Sequence, residues 1–334
     1  AISMLISYIS IYISPTIITF PLFFGLYFIP IAFINLLILI IGILKRSKSV
    51  WFTFLILTPS LLFADRFVRW GESNTDTEGL SLKIITYNVG LFVQGKDTEV
   101  ANRKNIIEFL KNENADIIAL QEFYISDTNN IKRFLPSHKY VTYFLFPTKK
   151  GGYFGNITYS KFPIINKGRI PFNSSTNLCI YTDINFHNRP IRVYNTHLES
   201  HSISFTTLIK RLRESTSITD QIIDVHDKVA ETFKRRGIQV DEIVKHSQST
   251  DLPTIICGDL NDTPMSYTYH SLSANRKDSF RQSGKGFSAT YSFLWPMLRI
   301  DYILHPLPIW CKSHETPRID HSDHYPVITE LIIP

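Results

Sequence analysis

The sequence predicts a layered α/β domain that follows an apolar N-terminal segment. Strand-like and helix-like segments alternate over residues 80–334 without an internal repeat, and this alternation is typical of an α/β fold. The chain has 334 residues, of which 44% are hydrophobic, so it can bury a sizeable core. Polar residues recur just past the strand-like segments, where sites assemble in layered α/β folds.

The charge and the cysteine content limit the classes of possible substrate and ligand but do not identify one. The formal net charge is +6 and the sequence pI is about 9.0, which suits an anionic substrate or an anionic membrane surface. Cys179, Cys257 and Cys311 are far apart and odd in number, which argues against a disulfide framework and against a zinc site. Cys257 lies in an apolar run, and we interpret it as a buried thiol.

The first 70 residues predict a membrane anchor with two to three transmembrane helices. Residues 22–44 are almost wholly apolar and long enough to cross a bilayer as a helix. Residues 50–64 form another apolar run, and residues 2–13 form a shorter one. A signal peptide or a buried core helix is the alternative, but a further apolar run follows the 23 residues of 22–44, which is unlike a signal peptide.

Three basic residues predict the orientation of this anchor. Lys45, Arg46 and Lys48 lie between the runs 22–44 and 50–64, and basic loops face the cytoplasm. We therefore expect an integral protein of the cytoplasmic (inner) membrane. Residues 71–79 predict a polar linker, and the domain of residues 80–334 is then expected outside the cytoplasm, in the periplasm of a double-membrane cell.

Polar side chains follow the strand-like segments at several separate positions. One such residue would be an ordinary turn former. Five separate strand ends that each offer a metal ligand or a proton carrier are hard to explain by turns alone, and they predict a site. The residues at these positions are Asn88, Glu122, His197, Asp259, Asn261, Asp301, Asp323 and His324.

Asp323 and His324 place a carboxylate beside an imidazole, just before the last strand-like run over residues 327–333. A carboxylate can hold a hard cation, and a neutral imidazole can take a proton near neutral pH. The pair therefore suggests a metal-assisted hydrolytic site. A simple loop cap is the alternative for this pair taken alone.

Six short motifs occur in a fixed order along the predicted domain. Each motif alone is a weak signal, whereas six in order are specific. They are Thr86-Tyr87-Asn88-Val89, Leu120-Gln121-Glu122-Phe123, Asn195-Thr196-His197-Leu198, Gly258-Asp259-Leu260-Asn261-Asp262-Thr263-Pro264, Ile300-Asp301-Tyr302-Ile303 and Ser322-Asp323-His324. Together they resemble the endonuclease/exonuclease/phosphatase superfamily, the fold of DNase I, abasic-site endonucleases, inositol-polyphosphate phosphatases and neutral sphingomyelinases.

The resemblance implies a fold and a metal site. The fold is a four-layer α/β/β/α sandwich, in which two mixed β-sheets lie face to face with helices outside. Glu122 would be the main metal carboxylate, with Asn88 beside it and Asp323 as a further ligand. Oxygen ligands of this kind favour Mg²⁺ or Mn²⁺ over zinc.

The resemblance also implies a role for each catalytic residue. Asp301 would orient His324 by a hydrogen bond, and His197 would donate to a non-bridging phosphate oxygen. Asp259 would orient or deprotonate the attacking water, and Asn261 would hold the phosphate. Whether Asp259 or His324 is the general base stays open.

We therefore expect a membrane-anchored, Mg²⁺-dependent phosphoric ester hydrolase that acts on a phosphodiester or phosphomonoester. A phospholipid or related headgroup is the favoured substrate, because a tethered domain meets lipid headgroups at high effective concentration. A surface nuclease acting on DNA or RNA is the alternative. A catalytically inactive membrane adaptor is disfavoured, because no expected catalytic residue is missing. No protein partner is predicted.

Overall fold

The computed structural model describes residues 1–71, 78–173, 175–200, 218–293 and 296–334, without the side chains of residues 218–222. Its helices are α1 (Ile2–Ser10), α2 (Phe20–Leu26), α3 (Phe28–Leu44), α4 (Val50–Leu57), α5 (Glu99–Glu113), α6 (Ile131–Phe134), α7 (Ile218–Gln248), α8 (Tyr267–Ser273) and α9 (Ser279–Ser283). Short 3₁₀ helices cover Thr58–Arg66, Gly90–Phe92 and Thr128–Asn130.

The strands are β1 (Val68–Arg69), β2 (Leu80–Asn88), β3 (Ile117–Ile125), β4 (Tyr140–Pro147), β5 (Tyr153–Ser160), β6 (Ile164–Ile170), β7 (Leu178–Phe186), β8 (Arg189–His197), β9 (Thr254–Asp259), β10 (Lys277–Asp278), β11 (Gly286–Phe287), β12 (Asp301–His305), β13 (Trp310–Glu315) and β14 (Val327–Ile333). One six-stranded sheet has the order β13-β14-β2-β3-β5-β4 and another has the order β10-β12-β9-β8-β7-β6. Each contains one parallel pair, β2 with β3 and β8 with β9, among antiparallel neighbours, so both sheets are mixed.

Strand alternation divides the apolar side chains between two core layers. Ile84 and Ile117 point between the sheets, whereas Ile85 and Ile118 point to the outside, as the two-residue period of a strand requires. The core between the sheets draws on both of them and contains Cys257. All three cysteines are buried and free, which confirms the interpretation of Cys257 as a buried thiol.

Helices cover the outer face of each sheet. Ile106 and Leu110 of α5 pack on the first sheet, while Val240 and Ile243 of α7 and Leu272 of α8 pack on the second. The layers therefore follow in the order α/β/β/α, and the predicted sandwich of two mixed sheets is confirmed.

The two parallel pairs explain why distant residues meet at one place. Parallel strands carry their carboxyl ends to the same edge of a sheet. Asn88 at the end of β2 therefore lies opposite Gln121 of β3, and His197 at the end of β8 lies opposite Asp259 at the end of β9. Asp301 is the first residue of β12, which is antiparallel to β9, and it lies opposite Asp259.

The apolar runs at the N-terminus are broken into shorter helices. No single helix among the described residues is both long and apolar enough to cross a membrane. Taken together, α2 and α3 are long and apolar enough, but the two helices meet at a bend of 73°. Pro30 lies in the first turn of α3, and Pro59 begins the 3₁₀ helix after α4. Since proline lacks the N–H of a continuing helix, the expected helices over residues 22–44 and 50–64 are each interrupted.

These N-terminal helices pack directly on the α/β domain. Met265 shares a buried apolar cluster with residues of α1, α3 and α4. Arg66 donates from Nη1 to the carbonyl of Pro264 at 2.7 Å, and Arg281 donates to the carboxylate of Asp65 at 2.8 Å. β1 pairs with β11 as a small third sheet. Most of the predicted linker, residues 72–77, lies outside the described residues.

Candidate active site

A hydrogen bond between Asn88 and Asp259 joins the two sheets at the centre of the site. The Asn88 amide donates from Nδ2 to Asp259 Oδ2 at 2.9 Å and lies 3.3 Å from Glu122 Oε1. The other Asp259 oxygen accepts the backbone N–H of Asn261 at 2.8 Å. Asn261 has a φ of +51°, a turn conformation that asparagine tolerates well. Two donors from different elements therefore fix the buried Asp259 carboxylate.

Asp301 and His324 form the predicted dyad. His324 Nδ1 and Asp301 Oδ2 are 2.9 Å apart, and both residues are buried. This contact leaves Nε2 of His324 on the side of Asp259, 3.7 Å from its Oδ2. The backbone N–H of Asp301 donates to Thr290 Oγ1 at 3.1 Å, which fixes the position of the carboxylate.

Three carboxylates determine the charge of His324. Burial lowers the pKa of this imidazole, but the nearby carboxylates of Asp301, Asp259 and Asp323 outweigh burial and raise its pKa well above the usual range. Burial also raises the pKa of Asp301, and the cationic His324 opposes that rise. The carboxylates around His324 therefore favour its protonated form.

Glu122 reaches the site through an irregularity in β3. The register between β3 and β5 shifts between Leu120 and Phe123, and Glu122 has a φ of +48°. Such a bulge turns a side chain out of the regular alternation, and a non-glycine residue at positive φ is sparsely populated and typical of functional sites. The Glu122 side chain is 31% exposed, so it faces the solvent side of the site.

A network of buried side-chain amides lies next to Glu122 in the sequence, at Gln121, and no motif predicted it. Gln121 donates from Nε2 to Asn195 Oδ1 at 2.8 Å. The Asn195 amide in turn donates to the carbonyl of Ile157 at 2.9 Å, and Asn156 donates to the carbonyl of Asn195 at 3.1 Å. The network connects β3, β5 and β8. Its signal was present, since Gln121 and Asn195 lie within the motifs that carry Glu122 and His197.

Asp323 is a candidate ligand for a hard cation, because its charge is influenced by a second carboxylate, that of Glu122. Burial and then the negative charge of Glu122 raise the pKa of Asp323, although His324 opposes the rise. Gly90 borders the same carboxylate: a Cβ there would lie 3.2 Å from Asp323 Oδ1, and its φ is +51°. Clustered carboxylate oxygens repel one another unless a cation offsets their charge, and they are the ligands that Mg²⁺ and Mn²⁺ prefer.

Asn88 is placed as a hydrogen-bond donor. Its Nδ2 faces Asp259 and Glu122, and its Oδ1 accepts the N–H of Gly90 at 3.0 Å. An amide NH₂ group has no lone pair to offer a cation, so this arrangement assigns Asn88 to the orientation of Asp259. The expected metal contact of Asn88 stays a prediction.

A second group of possible ligands lies deeper in the site. Ligand atoms of Asp259, Asp301 and His324 lie within 4.8 Å of one another. A cation there would replace the hydrogen bond between His324 and Asp301, and all three residues are closed to solvent. Their hydrogen bonds already explain their proximity, and the expected cation contact of Glu122 and Asp323 stays a prediction.

His197 and Asn261 differ in how they face the site. Nε2 of His197 is buried and has no hydrogen-bond partner among the described residues; it lies 3.6 Å from Glu122 Oε1 and 3.8 Å from Asp259 Oδ2. A phosphate oxygen could accept from this nitrogen. Asn261 instead donates from Nδ2 to the carbonyl of Leu198 at 2.9 Å. This bond joins the loops after β8 and β9, and the predicted phosphate contact of Asn261 stays a prediction.

Tyr291 is a further side chain at the site that no motif indicated. Its ring lies 5.2 Å from the His324 ring in an edge arrangement. Burial raises the pKa of its hydroxyl, and the carboxylates of Asp323, Asp259 and Glu122 raise it further. Tyr291 therefore borders the same group of carboxylates and keeps its proton at neutral pH.

Comparison with known families agrees with this fold. The model of the endonuclease/exonuclease/phosphatase family matches residues 85–324, which is most of the chain. The chain belongs to this family, whose members are hydrolases of phosphate esters. Residues 1–67 match a domain of unknown function, DUF8431. No curated protein matches the chain.

Solved structures show the same fold at low sequence identity. An endonuclease/exonuclease/phosphatase from Beutenbergia cavernae is 16% identical, with a TM-score of 0.55 over 76% of this chain and 72% of its own. A mannosyl-6-phosphatase from Bacteroides thetaiotaomicron is 17% identical, with a TM-score of 0.52 over 75% of this chain and 100% of its own. A humanized D. rerio TDP2 is 19% identical, with a TM-score of 0.53 over 76% of this chain and 99% of its own.

Replacement of Asp301 should change the titration of His324. Asp301→Asn removes a carboxylate that raises the pKa of His324. The lowering effect of burial is then less opposed, so the pKa of His324 should fall. NMR titration of the histidine side chains in metal-free protein measures it. The exposed Asp251→Asn variant serves as the control and should leave the His324 titration as in the unmodified protein. An unchanged pKa in Asp301→Asn would contradict the dyad.

Proposed function

We propose that the protein is a divalent-cation-dependent phosphoesterase that uses a water molecule to hydrolyse the phosphate ester of a phospholipid or a related headgroup. The position of His197 carries this proposal: its Nε2 lies 3.6 Å from Glu122 Oε1 and 3.8 Å from Asp259 Oδ2. A fixed carboxylate, a solvent-facing carboxylate and an imidazole nitrogen that has no hydrogen-bond partner among the described residues thus face one opening.

Asp259 is the group proposed to take the proton of the attacking water. Its carboxylate is oriented by Asn88 and by the N–H of Asn261. The carboxylates around His324 raise the pKa of that imidazole and so favour its protonated form, which has no lone pair to act as a base. Protonated His324 is instead a donor towards the phosphoryl group. His197 donates to another phosphoryl oxygen, and both contacts strengthen as negative charge develops there.

Glu122 and Asp323 would hold Mg²⁺ or Mn²⁺. A cation bound there supplies charge neutralisation at the phosphoryl oxygens and at the leaving oxygen. Covalent catalysis by cysteine is disfavoured, because burial raises the pKa of Cys179, Cys257 and Cys311 and a thiol must ionise to attack. Water is therefore the proposed nucleophile.

A substrate panel tests the reaction and the substrate class together. With Mg²⁺ or Mn²⁺, the purified protein should release headgroup phosphate esters from mixed phospholipid vesicles. Glu122→Ala and His324→Ala should each lower the rate about 10²- to 10³-fold, because the first weakens the binding of the cation and the second removes a donor to the phosphoryl group. The exposed Glu108→Ala variant of α5 is the matched control and should retain the rate. Cleavage of plasmid DNA that is lost in both site variants, without lipid turnover, would favour the nuclease alternative.

The N-terminal helices support a membrane-bound enzyme. α3 and α4 carry large apolar side chains on their exposed surfaces, and an apolar area of this size normally contacts lipid or protein. We propose that the bilayer covers it. The exposed apolar residues of the two helices are Phe33, Ile34, Leu36, Leu37, Ile38, Ile40, Ile41, Ile43, Leu44, Trp51, Phe52, Phe54 and Leu55.

Trp51 reports directly on this contact. Its side chain is 76% exposed on α4, so we expect vesicle lipids brominated on the acyl chains to quench its fluorescence. Trp51→Phe should remove the quenched component, and Trp310→Phe, which changes a strand residue of the α/β domain, should retain it. Equal quenching in the protein with and without Trp51 would contradict insertion of α4.

The basic turn after α3 supports an extracytoplasmic α/β domain. Lys45 and Lys48 lie at the end of α3 opposite to Phe28, and Phe28 packs against Phe67 beside the α/β domain. If the basic turn faces the cytoplasm, the α/β domain lies on the other side. Protease added to cells whose outer envelope alone is permeable should then digest the α/β domain. Protection until the cytoplasmic membrane is breached would contradict this orientation.

A further inference from the structure

A cavity of about 360 Å³ opens beside the proposed reaction centre. Glu122 and His197 line one side of it. Phe154 contributes an aromatic wall, and Asn177 and Glu199 contribute polar groups. Pockets of this size with one aromatic wall and a few fixed polar groups are typical binding sites for small organic groups.

Glu199 is held in place from several directions. Its Oε2 accepts from Ser175 Oγ at 2.7 Å and from Gln239 Nε2 at 3.4 Å. Its backbone N–H donates to Gln239 Oε1 at 2.9 Å, and its carbonyl accepts from Nε of the buried Arg236 at 2.9 Å. Arg235 lies 3.7 Å from Oε1 and does not line the cavity. The carboxylate therefore has a fixed position before a ligand arrives.

Asn177 is fixed in the same way. Its Nδ2 donates to the carbonyl of Leu198 at 2.8 Å. Its Oδ1 lies 3.1 Å from Ser175 Oγ, whose one proton is shared with the shorter contact to Glu199. An amide has two N–H groups, and its oxygen and each carboxylate oxygen have two lone pairs. Asn177 and Glu199 thus keep unused hydrogen-bonding capacity that hydroxyl groups can take.

The charges of the side chains that line the cavity further limit the class of ligand that it can bind. Among the described residues that line it, Glu122 and Glu199 are acidic and none is a lysine or an arginine. A second phosphate placed beside Glu199 would meet a carboxylate and, among the described lining residues, no lysine or arginine side chain, which costs Coulomb energy in a partly buried site. A neutral group with several hydroxyls instead finds acceptors, donors and an aromatic face.

We infer that this cavity binds the neutral, hydroxylated alcohol part of the ester, such as a sugar, inositol or glycerol unit, and discriminates against an alcohol that carries a second phosphate. The inference rests on the proposed phosphoesterase activity and specifies the substrate class of that site. Such an alcohol occurs both in lipid headgroups and in soluble phosphate esters.

Matched chromogenic esters test the cavity. Phosphodiesters of p-nitrophenol with glycerol, with propanol, with glycerol phosphate and with the 5′-hydroxyl of thymidine differ only in the group offered to the cavity. Water adds to phosphorus, the bond from phosphorus to the nitrophenyl oxygen breaks, and nitrophenolate leaves. We expect kcat/KM for the glyceryl ester to exceed that for the propyl ester about tenfold, as the loss of one or two hydrogen bonds implies. The phosphorylated and thymidyl esters should also react more slowly.

Two variants relate this preference to the named residues. Asn177→Ala should lower the ratio of glyceryl to propyl turnover about tenfold. Glu199→Gln keeps the shape and removes the charge, so it should narrow the gap between the glyceryl and the glycerol phosphate esters. Glu315→Gln, an exposed change on β13, should leave every rate unaltered. Vesicles of phosphatidylinositol and soluble glycerol phosphate, assayed for headgroup and phosphate release, distinguish the lipid source from the soluble one.

The possible outcomes distinguish the proposed phosphoesterase activity from the proposed role of the cavity. Hydrolysis of none of these esters, with either cation, would refute the proposed phosphoesterase activity. Hydrolysis of the propyl, thymidyl and glyceryl esters at equal rates would leave the activity standing and overturn the assignment of the cavity. Equal loss of all rates in Asn177→Ala and Glu199→Gln would also overturn it, because these residues would then act on the fold and not on selectivity.

Discussion

The hydrogen bond from Asn88 to Asp259 is the contact on which the site depends. It runs from the end of β2 in one sheet to the end of β9 in the other, at 2.9 Å, in a place where neither residue is more than 1% exposed. An unpaired carboxylate or amide there would be costly. The bond therefore ties the two sheet ends together at the centre of the site.

The position of the site could be predicted from the sequence, but its internal connections could not. Polar residues after buried strands marked Asn88, His197 and Asp259, because parallel neighbours end at the same edge. The order of the six motifs predicted the four-layer sandwich, through the family resemblance. The direction of the Asn88 amide and the bond from Asn261 to the carbonyl of Leu198 depend on rotamers and loop geometry, which no sequence pattern encodes.

The N-terminal segment shows the limit of composition as a guide. Its apolar content predicted two to three membrane-spanning helices, yet shorter helices are found, with Pro30 and Pro59 in the first turns of the segments after the breaks. The resulting short helices pack on Met265 and hold the carbonyl of Pro264 through Arg66. Because Pro264 ends the motif that carries Asp259, the apolar helices support the catalytic loop directly, and the proposed contact with lipid lies on the other surface of the same helices.

The central claim is that a cation belongs at Glu122 and Asp323 while the bond between His324 and Asp301 stays intact. A crystal structure of the full chain with Mn²⁺ and inorganic phosphate, with anomalous data at the manganese edge, tests it directly. The account predicts anomalous density at the Glu122 carboxylate, a phosphate oxygen accepting from His197, and an unbroken hydrogen bond in the dyad. Anomalous density among Asp259, Asp301 and His324, with that hydrogen bond replaced by metal contacts, would contradict it.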